Sequence, residues 1–231
     1  MSAASTLDLT AAARDLDAAP ASEILRWAVG VLAPGRLALI SAFGPGTAVL
    51  IDLLAPIAPD LPVIFVDTLH HFPETLEHAE RVRARYGLNL QVYRPAANRE
   101  EFERLYGPRL WERDLDRYQR VAKVEPFQRA TAGLDGWITG RRRDQSEARH
   151  ALPVVEDGER IRINPLARWT RADVWRYIVE NDLPYNPLHD RGYPSVGDQP
   201  LTSPVGEGEE ERAGRWRGET RTECGIHSLY S

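Results

Sequence analysis

Apolar residues recur at helical spacing over the first thirty positions: Leu7, Leu9, Ala12 and Leu16, then, past Pro20, Ile24, Leu25, Ala28 and Val29. That period predicts amphipathic helices packed on the edge of a domain or on another subunit. Beyond Pro34 the pattern becomes short apolar runs separated by helical stretches. Residues 37–40, 62–67 (PVIFVD), 88–93, 137–140 and 161–166 each read as a buried strand, and the first feeds a small-residue loop, 41–47. Residues 73–86 read as a helix with Phe72, Leu76, Ala79, Val82 and Tyr86 on one face, and residues 123–134 as a further helical stretch. In 170–181, Thr170 and Asp173 have the spacing of a capping box, and Val174, Tyr177 and Ile178 form the apolar face. This alternation predicts an α/β fold, a parallel sheet with flanking helices whose ligands bind at the C-terminal edge of the strands.

From Leu183 the character changes. Pro184, Pro187, Pro194, Pro200 and Pro204 are interspersed with glycines, and 207–211 is almost wholly acidic, which predicts an irregular tail that is mobile at least in part. The expected organisation is N-terminal helices over 1–33, a nucleotide-binding α/β domain over 34–182, and a C-terminal tail over 183–231. A chain of 231 residues, 42% hydrophobic, is long enough for a sizeable core, and no apolar run is long enough to cross a bilayer. The N-terminus has neither a basic start followed by an apolar stretch nor a cleavage signature, so a soluble, cytoplasmic protein is expected.

Charge narrows the function. A formal net charge of −5 argues against broad nucleic-acid binding. Local basic clusters still allow an anionic ligand: Arg141, Arg142 and Arg143, then Arg212, Arg215, Arg217 and Arg221 ahead of the single cysteine, Cys224. One cysteine excludes an internal disulfide and any site that needs several thiolates from one chain.

The candidate chemistry lies at the predicted strand ends. The loop Ser41, Ala42, Phe43, Gly44, Pro45, Gly46, Thr47 leads from a strand into a helix, where backbone N–H groups can cradle an anion; it is neither a Walker loop nor a dinucleotide fingerprint, and a plain turn is the competing reading. Asp67 and Thr68 end the second strand, placed either to bind ribose or adenine or to cap the next helix. His70 and His71 follow them and read as surface or capping groups, with no third ligand for a metal. Cys224 sits in a polar, charged tail, where four nearby arginines favour a thiolate; His227 would help and Glu223 oppose. Composition alone leaves an incidental surface thiol as the simpler reading.

Local sequence changes that reading. ECGIH (223–227) resembles the ECGLH signature of the assimilatory adenylyl-sulfate and phosphoadenylyl-sulfate reductases. In family order, SAFG (41–44) is similar to SSFG, VDTLHHFPET (66–75) to VDTGYHFPET, KVEPFQRA (123–130) to KVEPxxRA, GRRRDQSEAR (140–149) to GLRRxQSxxR, and GYPSVGD (192–198) to GYxSVGD. The resemblance implies a Rossmann-like, adenine-nucleotide α-hydrolase fold with a modified pyrophosphatase loop. It implies that Ser41 to Thr47 hold the phosphosulfate, that Asp67 and Thr68 lie near the nucleoside, and that Lys123, Arg142, Arg143 and Arg149 pair with phosphate or sulfate oxygens; Arg217 and Arg221 of the tail cluster are further candidates for the same anion by their charge. It further implies that Cys224, assisted by His227, attacks the activated sulfate to give a Cys S-sulfonate, from which thioredoxin or glutaredoxin releases sulfite, and that the enzyme is a homodimer.

Iron–sulfur members of that family carry cysteines where this chain has Tyr118-Gln119 and Asp198 to Leu201. Their replacement implies a cluster-free enzyme with no bound cofactor, and favours 3′-phosphoadenylyl sulfate over adenylyl sulfate. DQPLTSPV (198–205) and Gly214-Arg215-Trp216 look closer to the cluster-bearing branch, so adenylyl sulfate stays open. An ATP pyrophosphatase or adenylyltransferase of the same fold, or a nucleotide sensor without turnover, would have no use for the tail thiol.

Overall fold

The computed structural model describes residues 8–206, 208–216 and 226. Two N-terminal helices, α1 (Leu9–Asp15) and α2 (Ala21–Val31), precede the sheet. Strands β1 (Leu37–Ile40), β2 (Val63–Val66) and β3 (Leu90–Tyr93) alternate with α3 (Pro45–Leu54) and α4 (Pro73–Tyr86). Helices α5 (Arg99–Tyr106), α6 (Leu110–Arg113) and α7 (Leu115–Gln119) lead through a π-helical turn, Arg120–Val124, into α8 (Glu125–Thr131) and β4 (Gly136–Ile138). The chain then adds β5 (Val155–Glu156), β6 (Ile161–Ile163) and α9 (Arg171–Glu180).

The six strands lie in the order β3-β2-β1-β4-β6-β5, all parallel except β5, which runs antiparallel to β6 at the edge. The expected α/β sheet is therefore present, with one antiparallel edge strand that a two-residue run was too short to announce. The β-pleat sends alternate side chains of β1 to opposite faces. Leu37 and Leu39 join the core under α2, α3 and α9, while Ala38 and Ile40 meet Ile64, Ala130 and Leu134 beneath α8. Helix ends follow their local chemistry. Pro73 stands in the first turn of α4 and Gly87, at φ 61°, closes it in the left-handed region; Thr170 and Asp173 form the reciprocal cap of α9.

Strand order reverses beside β1: successive strands run outward through β2 and β3 on one side, and through β4 and β6 on the other. The loops that leave β1 and β4 part there and open a crevice. The stretch after Leu183, expected to be an irregular appendage, is built of 3-10 turns and loops but is packed at its near end. His71 forms an antiparallel bridge with Asp198, whose side chain is fully buried. No described helix is long and apolar enough to cross a membrane.

Candidate active site

The floor of the crevice is the loop after β1. Phe43 takes φ 54°, a left-handed conformation unfavourable for a side-chain-bearing residue, and two aromatic contacts hold it there: Phe65 at 5.3 Å and His78 at 6.2 Å between ring centroids. The Phe43 amide donates to Ser41 Oγ at 2.9 Å. Gly44 caps α3 without a side-chain hydrogen bond and Pro45 starts it, so the helix presents a positive N-terminal end to the crevice. The loop after β4 closes on it from the other side: a Cβ on Gly46 would stand 3.0 Å from the Gly140 carbonyl oxygen, so glycine is what allows the two backbones to meet.

Around this floor lies a cleft of about 230 Å³. Ser41, Ala42, Gly44, Gly46 and Thr47 line it from β1 and α3, Lys123 from the π-helical turn, Arg142 and Arg149 from the loop after β4, and residues 194–197 from the far side. These were expected binding positions save for 194–197, and the fold brings them to one place. A π-turn widens the helix by one residue, and here it carries Lys123 to the cleft with only a tenth of its side chain exposed.

Other expected residues stand elsewhere. Phe43 lies beneath the loop and contributes packing. Asp67 accepts from Arg94 Nε at 2.8 Å and from the Leu69 amide at 3.0 Å, so it serves the turn after β2 and does not line the cleft. Thr68 donates to Asp198 Oδ1 at 2.8 Å, one layer behind. Arg143 turns away: its guanidinium pairs with Asp17 at 2.5 Å and donates to the Leu152 carbonyl at 2.8 Å, which ties the arginine loop to the N-terminal segment. The backbone passes from extended at Arg142 into a 3-10 turn that begins at Arg143, so the run of three arginines does not aim all its members at one ligand. Arg217, Arg221, Cys224 and His227 lie outside the described residues.

The histidines differ from their reading as surface or capping groups. His70 is buried among Phe102, Trp111 and Tyr118, with ring centroids 4.9–5.5 Å away, and its Nδ1 bonds the Thr68 carbonyl at 2.9 Å. Burial pushes its pKa below the ordinary value. His71 stacks on Phe65, bonds the Val66 carbonyl at 3.1 Å through Nε2, and lines the cleft. Among the described residues no three His, Cys, Asp or Glu side chains converge as metal ligands.

Two buried ionic groups hold the walls. Lys123 Nζ lies 2.7 Å from Asp198 Oδ2, and this pair pins the 194–202 segment to the π-helical turn before α8. Burial alone would raise the Asp198 pKa, but Lys123, His71 and the hydrogen bonds from Lys123 and Thr68 outweigh it and hold the carboxyl well below the usual range. The Tyr118 hydroxyl also faces Asp198; burial first, and this carboxylate second, push the phenol far above its ordinary pKa. The segments aligned by resemblance with cluster cysteines, Tyr118-Gln119 and Asp198 to Leu201, thus meet here around an ion pair and an aromatic cluster. In the second group, Glu156 on β5 accepts from Arg141, stands 3.3 Å from Arg162 Nη2, and accepts from Asn164 at 2.8 Å; Asn164 in turn accepts from Thr139 at 2.7 Å. Burial lowers the Arg141 pKa against the pull of Glu156, and Arg149 and Arg162 add repulsion.

The tail supplies cleft residues that no periodicity reveals. Arg215 lies 4.6 Å from the Trp216 ring centroid and donates to the Val196 carbonyl at 3.2 Å; Arg212, 5.5 Å from the same ring, also lines the cleft. The close approach of Arg215 to the backbone requires glycine at 197, where a Cβ would fall 2.2 Å from the guanidinium. Trp216 and Ile226, the described residues on either side of Cys224 in the sequence, both line the cleft. The arrangement is suited to a multiply charged anion: a helix N-terminus, glycine backbone, Lys123 and guanidinium groups surround it.

The comparisons with known proteins agree on one family. Residues 36–204 match the phosphoadenosine phosphosulfate reductase domain. The chain is 47% identical over 212 residues to a probable phosphoadenosine phosphosulfate reductase of Schizosaccharomyces pombe, covering 89% of this chain and 79% of that one. It is 43% identical over 209 residues to an adenosine 5′-phosphosulfate reductase of Halalkalibacterium halodurans, covering 89% and 90%. The crystal structure of the phosphoadenylyl-sulfate reductase of Candida auris in complex with phosphate superposes with a TM-score of 0.77 at 40% identity, covering 85% of this chain and 96% of that one. A matched domain model over most of the chain, close relatives over most of their length and a shared fold lead to one conclusion: this chain belongs to the phosphoadenosine phosphosulfate reductase family.

Proposed function

We propose that the chain reduces 3′-phosphoadenylyl sulfate to sulfite and adenosine 3′,5′-bisphosphate, in the cytoplasm and within assimilatory sulfate reduction, with Cys224 as nucleophile. The observation that carries this reading is the cationic cleft at the strand-order reversal, lined by the described residues on both sides of Cys224, Trp216 and Ile226. The Cys224 thiolate attacks the sulfate sulfur, the S–O bond to phosphate breaks, and the nucleotide leaves with the electron pair. The product is a Cys224 S-sulfonate. A thioredoxin thiolate then attacks Cys224 Sγ; sulfite departs with the S–S bonding pair, and the carrier's second cysteine resolves the mixed disulfide. The carrier dithiol is oxidised as sulfate sulfur is reduced by two electrons. Within the cleft, Lys123, Arg142 and Arg149 neutralise the phosphosulfate and orient it for in-line attack. One cysteine per chain leaves no internal resolving partner and no set of thiolates for a cluster, which supports a cluster-free enzyme dependent on a second protein.

Adenylyl sulfate, releasing AMP, is the second reading, and the relative of Halalkalibacterium halodurans named for that substrate supports it. Sulfite release measured side by side with the two nucleotides, thioredoxin supplied, separates the readings. Incubation with nucleotide and no carrier is expected to add one sulfonate to Cys224 by intact mass, and Cys224→Ser to bind nucleotide without releasing sulfite. An unmodified wild-type chain under those conditions contradicts the mechanism.

A further inference from the structure

Glu211 is the one acidic side chain among the described residues lining the cleft, alongside Lys123, Arg141, Arg142, Arg149, Arg212 and Arg215. Its carboxylate reaches Arg142: Oε2 lies 2.7 Å from Nη2, and the guanidinium is 3% exposed. Arg142 has no electrostatic need of it. Asp144 already pairs with its Nε at 2.9 Å and is itself fixed by the Arg171 amide. Asp144 and Glu211 therefore share one guanidinium, and Glu211 is the one of the two that lines the cleft.

The segment that carries Glu211 leaves the fold and returns to it through a tied base. The Ser203 amide donates to the Gly214 carbonyl at 2.9 Å, the Trp216 amide donates to the Leu201 carbonyl at 3.0 Å, and Thr202 bridges Arg215. Gly214 is required for that closure, since a Cβ there would fall 2.1 Å from the Ser203 carbonyl oxygen. The Val205 amide also donates to the Gly192 carbonyl at 2.9 Å, so the chain is tied to the fold on both sides of Glu211.

We propose that Glu211 is an internal competitor of the substrate anion at Arg142: a sulfate or phosphate oxygen binds Arg142 by displacing the Glu211 carboxylate from it. The inference rests on the reading of this cleft as the site of an anionic nucleotide. A carboxylate and a phosphate or sulfate oxygen offer the same charge-assisted acceptor to a guanidinium edge, and one edge holds one of them at a time. Where the carboxylate occupies Arg142 nine times in ten, apparent anion affinity falls about tenfold, in proportion to the competent fraction.

The test uses the full chain and inorganic sulfate as the probe, titrated calorimetrically at constant ionic strength. Glu211→Gln removes the competing charge and keeps the side-chain shape. Glu210→Gln, at an exposed neighbouring position, makes the same change in net charge without touching Arg142. Glu211→Gln is expected to bind sulfate about five- to tenfold more tightly than wild type, with Glu210→Gln within twofold of wild type. Equal affinity of Glu211→Gln and wild type, equal tightening by both variants, or no sulfate binding by Glu211→Gln overturns the proposal. Sulfite release from the two nucleotides is followed in parallel. Tighter sulfate binding without any sulfite release leaves the Glu211 contact standing and refutes the reaction; sulfite release with unmoved sulfate affinity does the reverse.

Discussion

Asp198→Asn is the substitution whose cost follows most directly from the geometry. Asp198 is fully buried, and Lys123, a tenth exposed, has its ammonium 2.7 Å away. At an effective dielectric of about 20 the mutual attraction is roughly 6 kcal/mol, set against a desolvation penalty of several kcal/mol for each ion. The intact pair is thus nearly neutral in net terms, and the damage comes from breaking it. Asparagine keeps the shape and the acceptor for Thr68, so only the charge is removed and Lys123 is left buried without its counterion. About 3 to 5 kcal/mol of stability is expected to go, a large share of what a domain has, together with the anchorage of 194–202. In urea titrations followed by tryptophan fluorescence, the midpoint should fall by roughly 1 to 2 M at an m-value of about 2.5 kcal/mol per M. Lys123→Met should cost a similar amount by stranding Asp198, and the double variant less than the sum by at least about 2 kcal/mol. Singles that cost under about 1 kcal/mol, or that add within about 0.5 kcal/mol, would refute a coupled buried pair.

The other predictions concern the walls of the cleft and its pH response. Glu156→Gln leaves the Arg141 and Arg162 guanidiniums close together without their shared carboxylate, and about 3 kcal/mol of stability should be lost, with weaker nucleotide binding, in the same urea assay. Gly46→Ala has two opposing effects. Helix propensity favours alanine by about 1 kcal/mol, whereas the new Cβ presses on the Gly140 carbonyl oxygen at 3.0 Å; the melting temperature should change little while nucleotide affinity, measured by calorimetry, falls several-fold. His78 and His189 are held neutral: burial, with the nearby Arg81 and His189, takes His78 down to about 4, and burial, against a bond to the Tyr193 carbonyl, takes His189 to about 4. Their folded-state pKa values lie below the unfolded value near 6.5, so this contribution is whole above about pH 6.5 and is lost as pH falls towards 4, on the order of 3 kcal/mol for His78. Asp198, depressed below an unfolded value near 3.9, adds its loss only below about pH 4. Stability measured from pH 8 to 4 should therefore decline before the carboxylates titrate, and His78→Phe should flatten that decline; an unchanged slope would contradict it.

Much of the architecture was legible in the chain because its signals are local. Periodicity marks a strand or helix within a window of a few residues, and caps such as Thr170 with Asp173 need only neighbours in sequence. The family blocks likewise placed Ser41 to Thr47, Lys123, Arg142 and Arg149 in one functional group, and the fold brings those residues, Phe43 excepted, to one cleft. Helices α5 to α7 gave a weaker signal: α5 has its capping box at Asn98 and Glu101, but it buries Phe102 alone, too little for an apolar stripe.

What the chain did not disclose depends on distance and direction. Arg142 and Arg143 are adjacent in sequence, yet one lines the cleft and the other pairs with Asp17, because the backbone passes from extended at Arg142 into a 3-10 turn at Arg143. Thr68 and Asp198 are 130 residues apart and share a hydrogen bond. Asp67 and Thr68, placed by motif near a nucleoside, bond a turn amide and the buried Asp198 in the structure. The sequence by itself marked most of the strands and the longer helices, since burial period and capping are properties of neighbouring residues. Only the tertiary structure decided which charges meet, and so whether Glu211 and Asp198 are solvated acids or partners of Arg142 and Lys123, because that depends on where the sheet brings distant segments together.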